Sequence, residues 1–308
     1  MQISIIIVNF NTSALLLQCI ESIFKSVQGV GYEIIVADNG SNEEQKSLLR
    51  NSLSPLTPHP SPLTVIELPQ NLGFGKANNA AAEVAKGEYL FLLNPDTILL
   101  NDAVSILYNY MEKHQYVGIC GGNLFDCEIK PTHSFHRIFP GFLSELDFAT
   151  GKVYRRVRYG KNSQFNHTSQ ALPVAMITGA DLMIRRSVWD KLHGFDPVFF
   201  MYFEDSDLCK RCSECKYGIM SVPSAHIQHL EGKSFTESES HCKRILDGRF
   251  KYFYKHHSIS YNRLTNLMNI YSLAMATILF RCIGKESASR NYSQRLRIYK
   301  ELCSKAHP

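Results

Sequence analysis

The chain has 308 residues, 44% hydrophobic and 20% charged, with a formal net charge of +5. That composition excludes a disordered, fibrous or small disulfide-stapled protein and leaves one large domain, or one domain with an appendage. The charge is divided: residues 243–308 hold 13 Lys/Arg and 3 Asp/Glu, a balance of +10 against −5 on residues 1–242, so the basic segment alone suits an anionic surface.

Met1-Gln2-Ile3-Ser4-Ile5 enters a strand pattern at once, without a basic stretch or a small-residue cleavage site, so no signal peptide is expected. Nine scattered cysteines, an odd number, point to a reducing, cytoplasmic setting. Residues 3–8 form a β-branched run of the kind buried on both faces of a parallel sheet, stopping at Asn9-Phe10-Asn11-Thr12. Helix is expected over 14–26, strand over 32–37 ending at Asp38-Asn39-Gly40-Ser41, and helix over 43–53. Prolines 55, 58, 60 and 62 predict an exposed loop. Strand 64–68 leads through Asn71-Leu72-Gly73-Phe74-Gly75-Lys76 into helix 77–86, and strand 89–93 stops at Asn94-Pro95-Asp96-Thr97. Helix 101–113 and strand 117–122 follow. Past residue 123 the alternation weakens, and 125–170 reads as loops. Strand is expected over 171–185 with a turn at Gly179-Ala180-Asp181, helix over 186–192 and 204–215, and short strands over 217–222 and 225–228.

Alternating strands and helices predict an open α/β sheet with right-handed crossovers. The polar clusters at Asn9, Asp38, Asn71 and Asn94/Asp96 all fall where strands end. Such sheets bind ligands there, so these clusters are expected to converge on one crevice.

The densest chemistry lies at Glu204, Asp205 and Asp207, directly after five aromatics in nine positions. A helix starting near Glu204 would hold these carboxylates at its positive end, keeping at least one ionised and able to take a proton from a hydroxyl. Ordinary capping acids are the alternative. Asn94-Pro95-Asp96 offers two oxygen ligands at a strand end, suited to a hard divalent cation beside phosphate oxygens; read alone it is a common turn. His226 and His229 compete as a distant metal ligand. His229 is favoured because Gly232 and Ser234 follow it and permit a close turn around a diphosphate, and imidazole suits Mn²⁺ better than Mg²⁺. Cys209, Cys212 and Cys215 continue a helix and lack a second ligand pair at zinc spacing. Asn71 to Gly75 is only weakly like a phosphate-cradling glycine loop.

Together these motifs resemble the family 2 glycosyltransferases with a GT-A fold, especially the bacterial rhamnosyltransferase-like branch. The residues that carry the resemblance are Val8-Asn9-Phe10-Asn11, Asp38-Asn39-Gly40-Ser41, Asn71-Leu72-Gly73-Phe74 with Asn79, and Leu92-Leu93-Asn94-Pro95-Asp96. Further on come Gly179-Ala180, Gly194-Phe195-Asp196, Phe199 to Asp205 with Asp207, and His229 with Gly232 and Ser234. The match runs from about residue 3 to 235. It departs at Asn94, where the family often carries the first acid of an Asp-x-Asp metal motif.

The resemblance implies an α/β fold: a GT-A, Rossmann-like mixed sheet flanked by helices over 1–242; residues 240–308 carry no matching motif, and 243–308 reads on its own charge and apolar pattern as a basic helical extension. The resemblance also implies inverting transfer of a sugar from a nucleotide-diphosphate donor to a hydroxyl of a cell-surface glycan or lipid-linked intermediate. Rhamnose from dTDP-rhamnose is the family-level favourite, and UDP-linked hexose, N-acetylhexosamine or galactofuranose are alternatives. By the same resemblance Asp205 is the general base, and Asp96 and His229 hold Mn²⁺ or Mg²⁺. Asp38 would accept from the uracil or thymine imide, Asn9 and Lys76 would seat base and diphosphate, and Asn71, Asn79 and Asn94 complete that subsite. Glu204, Asp196 and Gly179 would surround sugar and acceptor, with Phe199, Phe200 and Tyr202 packed beside the acceptor. A non-catalytic nucleotide-sugar-binding protein would need no Asp205. A pyrophosphorylase would carry a basic glycine-rich loop where Asn9 to Thr12 stand.

Residues 267–283 are mostly apolar but interrupted by Asn269, Ser272, Thr277 and Arg281, at the lower limit for a bilayer span. An interfacial helix giving peripheral contact with the cytoplasmic leaflet is expected from 243–308. A hairpin packed on the body or in a homodimer is the alternative. Nucleic acid ranks last as a partner, because the basic and aromatic residues follow an apolar helix pattern rather than an exposed groove.

Overall fold

The computed structural model describes residues 1–53, 62–230 and 239–305. Most of the proline-rich stretch and the Gly232/Ser234 turn lie outside the described residues. The chain divides into two compact units. One comprises Met1–Arg137, Lys161–Phe200 and Glu204–Ser234; the other comprises Ile138–Gly160, Met201–Phe203 and Phe235–Pro308.

The first unit opens with β1 (Ile3–Asn9), α1 (Ser13–Ser26), β2 (Tyr32–Asp38), α2 (Glu43–Leu53), β3 (Leu63–Glu67), α3 (Phe74–Val84), β4 (Tyr89–Leu93), β5 (Thr97–Leu99), α4 (Ala103–Lys113), β6 (Val117–Phe125) and β7 (Phe135–His136). The chain then contributes α5 (Phe142–Ala149) and α6 (Val153–Tyr159) to the second unit. It returns as β8 (Leu172–Pro173), β9 (Met176–Ile177), β10 (Asp181–Arg185), α7 (Arg186–Leu192), α8 (Glu204–Glu214) and β11 (Gly218–His229). The second unit closes with α9 (Glu239–His256), α10 (Ile259–Cys282) and α11 (Glu286–Lys305).

The main sheet runs β3-β2-β1-β4-β10-β6-β11-β5, with β8 paired to β11. β1 is parallel to β2 and β4, whereas β10 runs antiparallel between β4 and β6, so the sheet is mixed. Every residue of β1, β2 and β4 is buried, which is why these strands read as continuous apolar runs. Ile3, Ile5 and Ile7 pack with Leu16, Cys19, Ile20 and Ile23 of α1 in the main core, each fully buried isoleucine contributing about 2–3 kcal/mol. The register sets Asn9 beside Asp38 and Leu93 beside Asp181. The carboxyl ends of β1, β2 and β4 and the start of β10 therefore share one edge.

Several boundaries differ from the sequence reading. α3 starts at Phe74 rather than residue 77, because Gly73 takes a φ of +88° as its N-cap. β5 was not anticipated; three residues are too few for a periodic signal, and they form a strand by pairing with β11. The stretch 125–170 is not only loop but holds β7, α5 and α6, two of them helices of only eight and seven residues. The strand expected over 171–185 is three separate strands. The two strands expected over 217–228 are one twelve-residue strand, β11, whose pairing with β6 shifts register between Ser221 and His226, around Pro223; proline is tolerated at such an irregularity.

In the second unit, buried Arg249 of α9 reaches Glu145 of α5 at 3.1 Å and bonds the Tyr299 hydroxyl of α11. Arg155 of α6 pairs with buried Asp147 of α5. Among the described residues no helix is long and apolar enough to cross a membrane.

Candidate active site

Three turns at the strand ends are tied together by amide side chains. Asn9 donates to Asp38 Oδ2 at 2.9 Å, and Asp38 Oδ1 accepts from the Ser41 amide at 2.9 Å. Both Asn9 and Asp38 are fully buried, so in this structure they shape the Asp38–Ser41 turn. Gly40 has a φ of +75°, and a Cβ there would meet the Gln70 backbone at 2.5 Å. Asn39 bridges the turns: its amide donates to Asn71 Oδ1 at 3.0 Å and its carbonyl accepts from the Leu72 amide at 2.8 Å. Asn71 Oδ1 also takes the Gly73 amide. Lys76 stands exposed on the first turn of α3.

The loop before α8 is pinned from two sides. Asn79 exchanges both its amide groups with the Phe195 backbone, at 2.8 and 2.9 Å. Arg211, aligned by buried Asp207 at 2.8 Å, donates to the carbonyls of Leu192 and Gly194. The Phe200 carbonyl accepts the Phe74 amide and sits so close to Gly73 that a Cβ there would come within 2.1 Å. Asp196 Oδ1 caps the Val198 amide. Phe199 is fully enclosed, so its ring belongs to the core rather than to a wall facing a ligand; Phe200 is exposed. Tyr202 lies in the second unit, where its hydroxyl meets His241 at 3.0 Å. Tyr202 and Phe203 both take left-handed backbone (φ +73° and +68°), which non-glycine residues adopt only under constraint.

α8 begins with the acids. Asp205 Oδ2 accepts the Gly179 amide at 3.1 Å, and Oδ1 accepts the Ser206 amide at 2.6 Å and hydroxyl at 3.2 Å. Burial raises the Asp205 pKa, and these three hydrogen bonds oppose the rise by favouring the ionised form. Glu204 is buried more completely, and Oε2 has no hydrogen-bond partner among the described residues. Burial first, and the charge of Asp205 second, push it up to about 8. The two carboxyls therefore titrate as a pair, with the proton held preferentially on Glu204 and the charge on Asp205.

A two-residue segment links this pair to the end of β4. Gly179 holds Asp205, and the Ala180 carbonyl accepts the Asn94 amide at 3.0 Å. There His229 Nε2 lies 3.3 Å from Asp96 Oδ1 and 3.4 Å from Asn94 Nδ2. A carboxylate and an imidazole nitrogen thus point at one locus, and turning the Asn94 amide would add a second oxygen. The donors suit a borderline-hard cation of the Mn²⁺ type. No cluster of three His, Cys, Asp or Glu side chains at metal spacing occurs among the described residues, so such an ion would need oxygens from a bound phosphate or water. His226 instead stacks edge-on with Phe125.

Sequence reasoning gave Asn39, Arg211 and Asp181 no role of their own. Asp181 is fully buried, accepts the Gly122 amide at 2.6 Å, and burial holds its carboxyl well above the usual range. Its signal was an acid at the start of an otherwise apolar strand. Cys209 and Cys212 point into the core, where burial raises both thiols.

The sequence model "Glycosyl transferase family 2" matches residues 4–207. Rhamnosyltransferase WbbL of Escherichia coli (strain K12) is 31% identical over 217 residues, covering 66% of this chain and 76% of that relative. N-acetylglucosaminyl-diphospho-decaprenol L-rhamnosyltransferase of Mycobacterium tuberculosis is 24% identical over 225 residues, 65% of this chain and 67% of its own. Among solved structures, the mannosyltransferase PcManGT from Pyrobaculum calidifontis, in complex with GDP-Man and Mn²⁺, superposes with a TM-score of 0.62 at 16% identity, covering 99% of this chain and 86% of its own. At that identity the likeness speaks for the GT-A fold.

Proposed function

The chain belongs to glycosyl transferase family 2, in its rhamnosyltransferase-like branch, and from that premise we propose an inverting transfer of a sugar, rhamnose from dTDP-rhamnose, to an acceptor hydroxyl. The observation that carries the chemistry is the Glu204–Asp205 pair, joined through Gly179 and Ala180 to the locus of Asn94, Asp96 and His229.

In this reading Asp205 takes the acceptor proton as the hydroxyl oxygen attacks the anomeric carbon. Its hydrogen bonds to Gly179 and Ser206 hold the carboxylate in place. Glu204, carrying the proton, is a hydrogen-bond donor toward sugar or acceptor. Asp96 and His229 would hold a divalent cation, which when bound supplies positive charge to the departing diphosphate. The buried Asn9–Asp38 pair and the Asn39–Asn71 bridge keep the base-binding turns rigid, and exposed Lys76 offers a cation to phosphate. Asn79 acts by fixing the Phe195 backbone, next to Asp196.

The acceptor is a cell-surface glycan or a lipid-linked intermediate. One relative's name specifies a diphospho-decaprenol acceptor, and this supports the lipid-linked alternative. The nine free cysteines support a cytoplasmic site of action. A panel of dTDP-rhamnose and UDP-sugars, each with Mn²⁺, Mg²⁺ or chelator, followed by thermal shift and donor hydrolysis, tests the reading. A cation-dependent response largest for dTDP-rhamnose is expected. A larger response to a UDP-sugar would replace the donor, thermal shift without hydrolysis would leave a binding role without transfer, and no response to any member would overturn the reading.

A further inference from the structure

Helix α10 is amphipathic the wrong way round for a helix surrounded by water. Its buried positions are Asn262, Thr265, Asn269 and Leu273, three of the four polar, while Leu264, Leu267, Tyr271, Met275, Ile278 and Leu279 are exposed. The exposed side chains recur at three- and four-residue spacing, forming a stripe along 24 residues, about 36 Å of helix. A soluble helix buries that stripe and hydrates its polar side. α10 packs against α5, with the Tyr261 hydroxyl bonded to the Phe142 amide, and α5 also exposes Leu143 and Leu146. Exposed apolar side chains on two helices in contact mark a candidate interaction site.

Charge identifies the occupant. α10 contains no Asp or Glu, and Arg263, Arg281 and Lys285 stand on it or just beyond its end. α6, which follows α5, exposes Arg156 and Arg158 beside Val157, itself 82% exposed. The whole second unit holds 17 Lys/Arg against 7 Asp/Glu, a balance of +10. A second copy of the chain would bring that charge against itself. An anionic bilayer would accept both the cations and the apolar stripe.

We propose that the surface formed by α5, α6 and α10 seats the protein on an anionic membrane as a monotopic enzyme, with the α10 stripe entering the interface. This goes beyond the catalytic reading and does not depend on the identity of the donor sugar.

The test uses the full chain and co-sedimentation with phosphatidylcholine vesicles, with and without phosphatidylglycerol. Binding to the anionic vesicles is expected at low salt, with a residual fraction retained at high salt through the apolar stripe. Leu267→Asp with Ile278→Asp should weaken partition by roughly tenfold or more. Arg156→Gln with Arg158→Gln should weaken it by about fivefold per charge removed. Circular dichroism checks the fold, and Leu267→Ser with Ile278→Ser replaces the first pair should it misfold. Absence of vesicle binding at low salt, or binding unmoved by the apolar variants, overturns the proposal. So does a wild-type dimer that these variants split while vesicle partition stays the same, since the stripe would then be a chain–chain interface.

Discussion

The two units bury acids in opposite ways. In the second unit the acids that leave the surface each have an arginine: half-buried Glu145 meets Arg249, whose charge opposes the rise that burial causes, and buried Asp147 meets Arg155. In the first, Asp207 has Arg211, but Glu204, Asp205 and Asp181 form no ion pair among the described residues, and all three are raised by burial. A paired buried acid holds a fold together. An unpaired one costs stability, and such groups persist where their proton has a use.

Asp205→Asn tests this contrast with the largest effect. It should lower transfer by about 10²–10⁴-fold while leaving nucleotide binding and the melting temperature near wild type; near-normal turnover would move the base to Glu204. Glu145→Ala is the mirror experiment. Leaving Arg249 buried without its carboxylate should cost about 3 kcal/mol of stability, read by denaturant unfolding, with turnover per folded molecule unchanged. Third comes pH. Glu204 holds its proton to about 8 in the folded chain but releases it near the ordinary carboxylate range when unfolded. The folded state therefore binds more protons, and stability should fall as pH rises from about 4.5 towards 8, by at most about 1.4 kcal/mol per pH unit. Glu204→Gln should flatten that slope; an unchanged slope would assign it to other groups. Last, Asp96→Ala or His229→Ala should weaken nucleotide affinity in Mn²⁺ by about tenfold, ~1.4 kcal/mol, and bring it towards the value in chelator. Equal affinity with and without cation in the wild type would remove the metal from the reading.

Much of this was legible in the amino-acid order. The runs Ile3–Asn9, Tyr32–Asp38 and Tyr89–Leu93 announce doubly covered strands because both of their faces are apolar. Since a strand's end is set by where the apolar run stops, Asn9, Asp38 and Asn94 were placed at the sheet edge without coordinates. The acids at 204, 205 and 207 were expected at a helix start, and they stand in the first turn of α8. Pattern reading failed where the signal was short or split: two-residue β7, three-residue β5, and α5 and α6 of two turns each. Such elements are stabilised by what they pack against, and a local window contains no record of it.

Composition and periodicity determined that α10 has one apolar and one polar side; which side would be covered was settled by the folded chain. The side with Asn262, Thr265, Asn269 and Leu273 went inward, and Leu264, Leu267 and Leu279 stayed out. The same holds within the site. The sequence put Asn9, Asp38, Asn79 and Phe199 among the candidate ligand contacts, whereas the fold buries Asn9, Asp38 and Phe199 and commits Asn79 to the Phe195 backbone. Local order specifies what a side chain can do. Whether it meets a ligand, a neighbour or a membrane depends on contacts between residues far apart in the chain, such as Asn79 with Phe195 or Gly179 with Asp205.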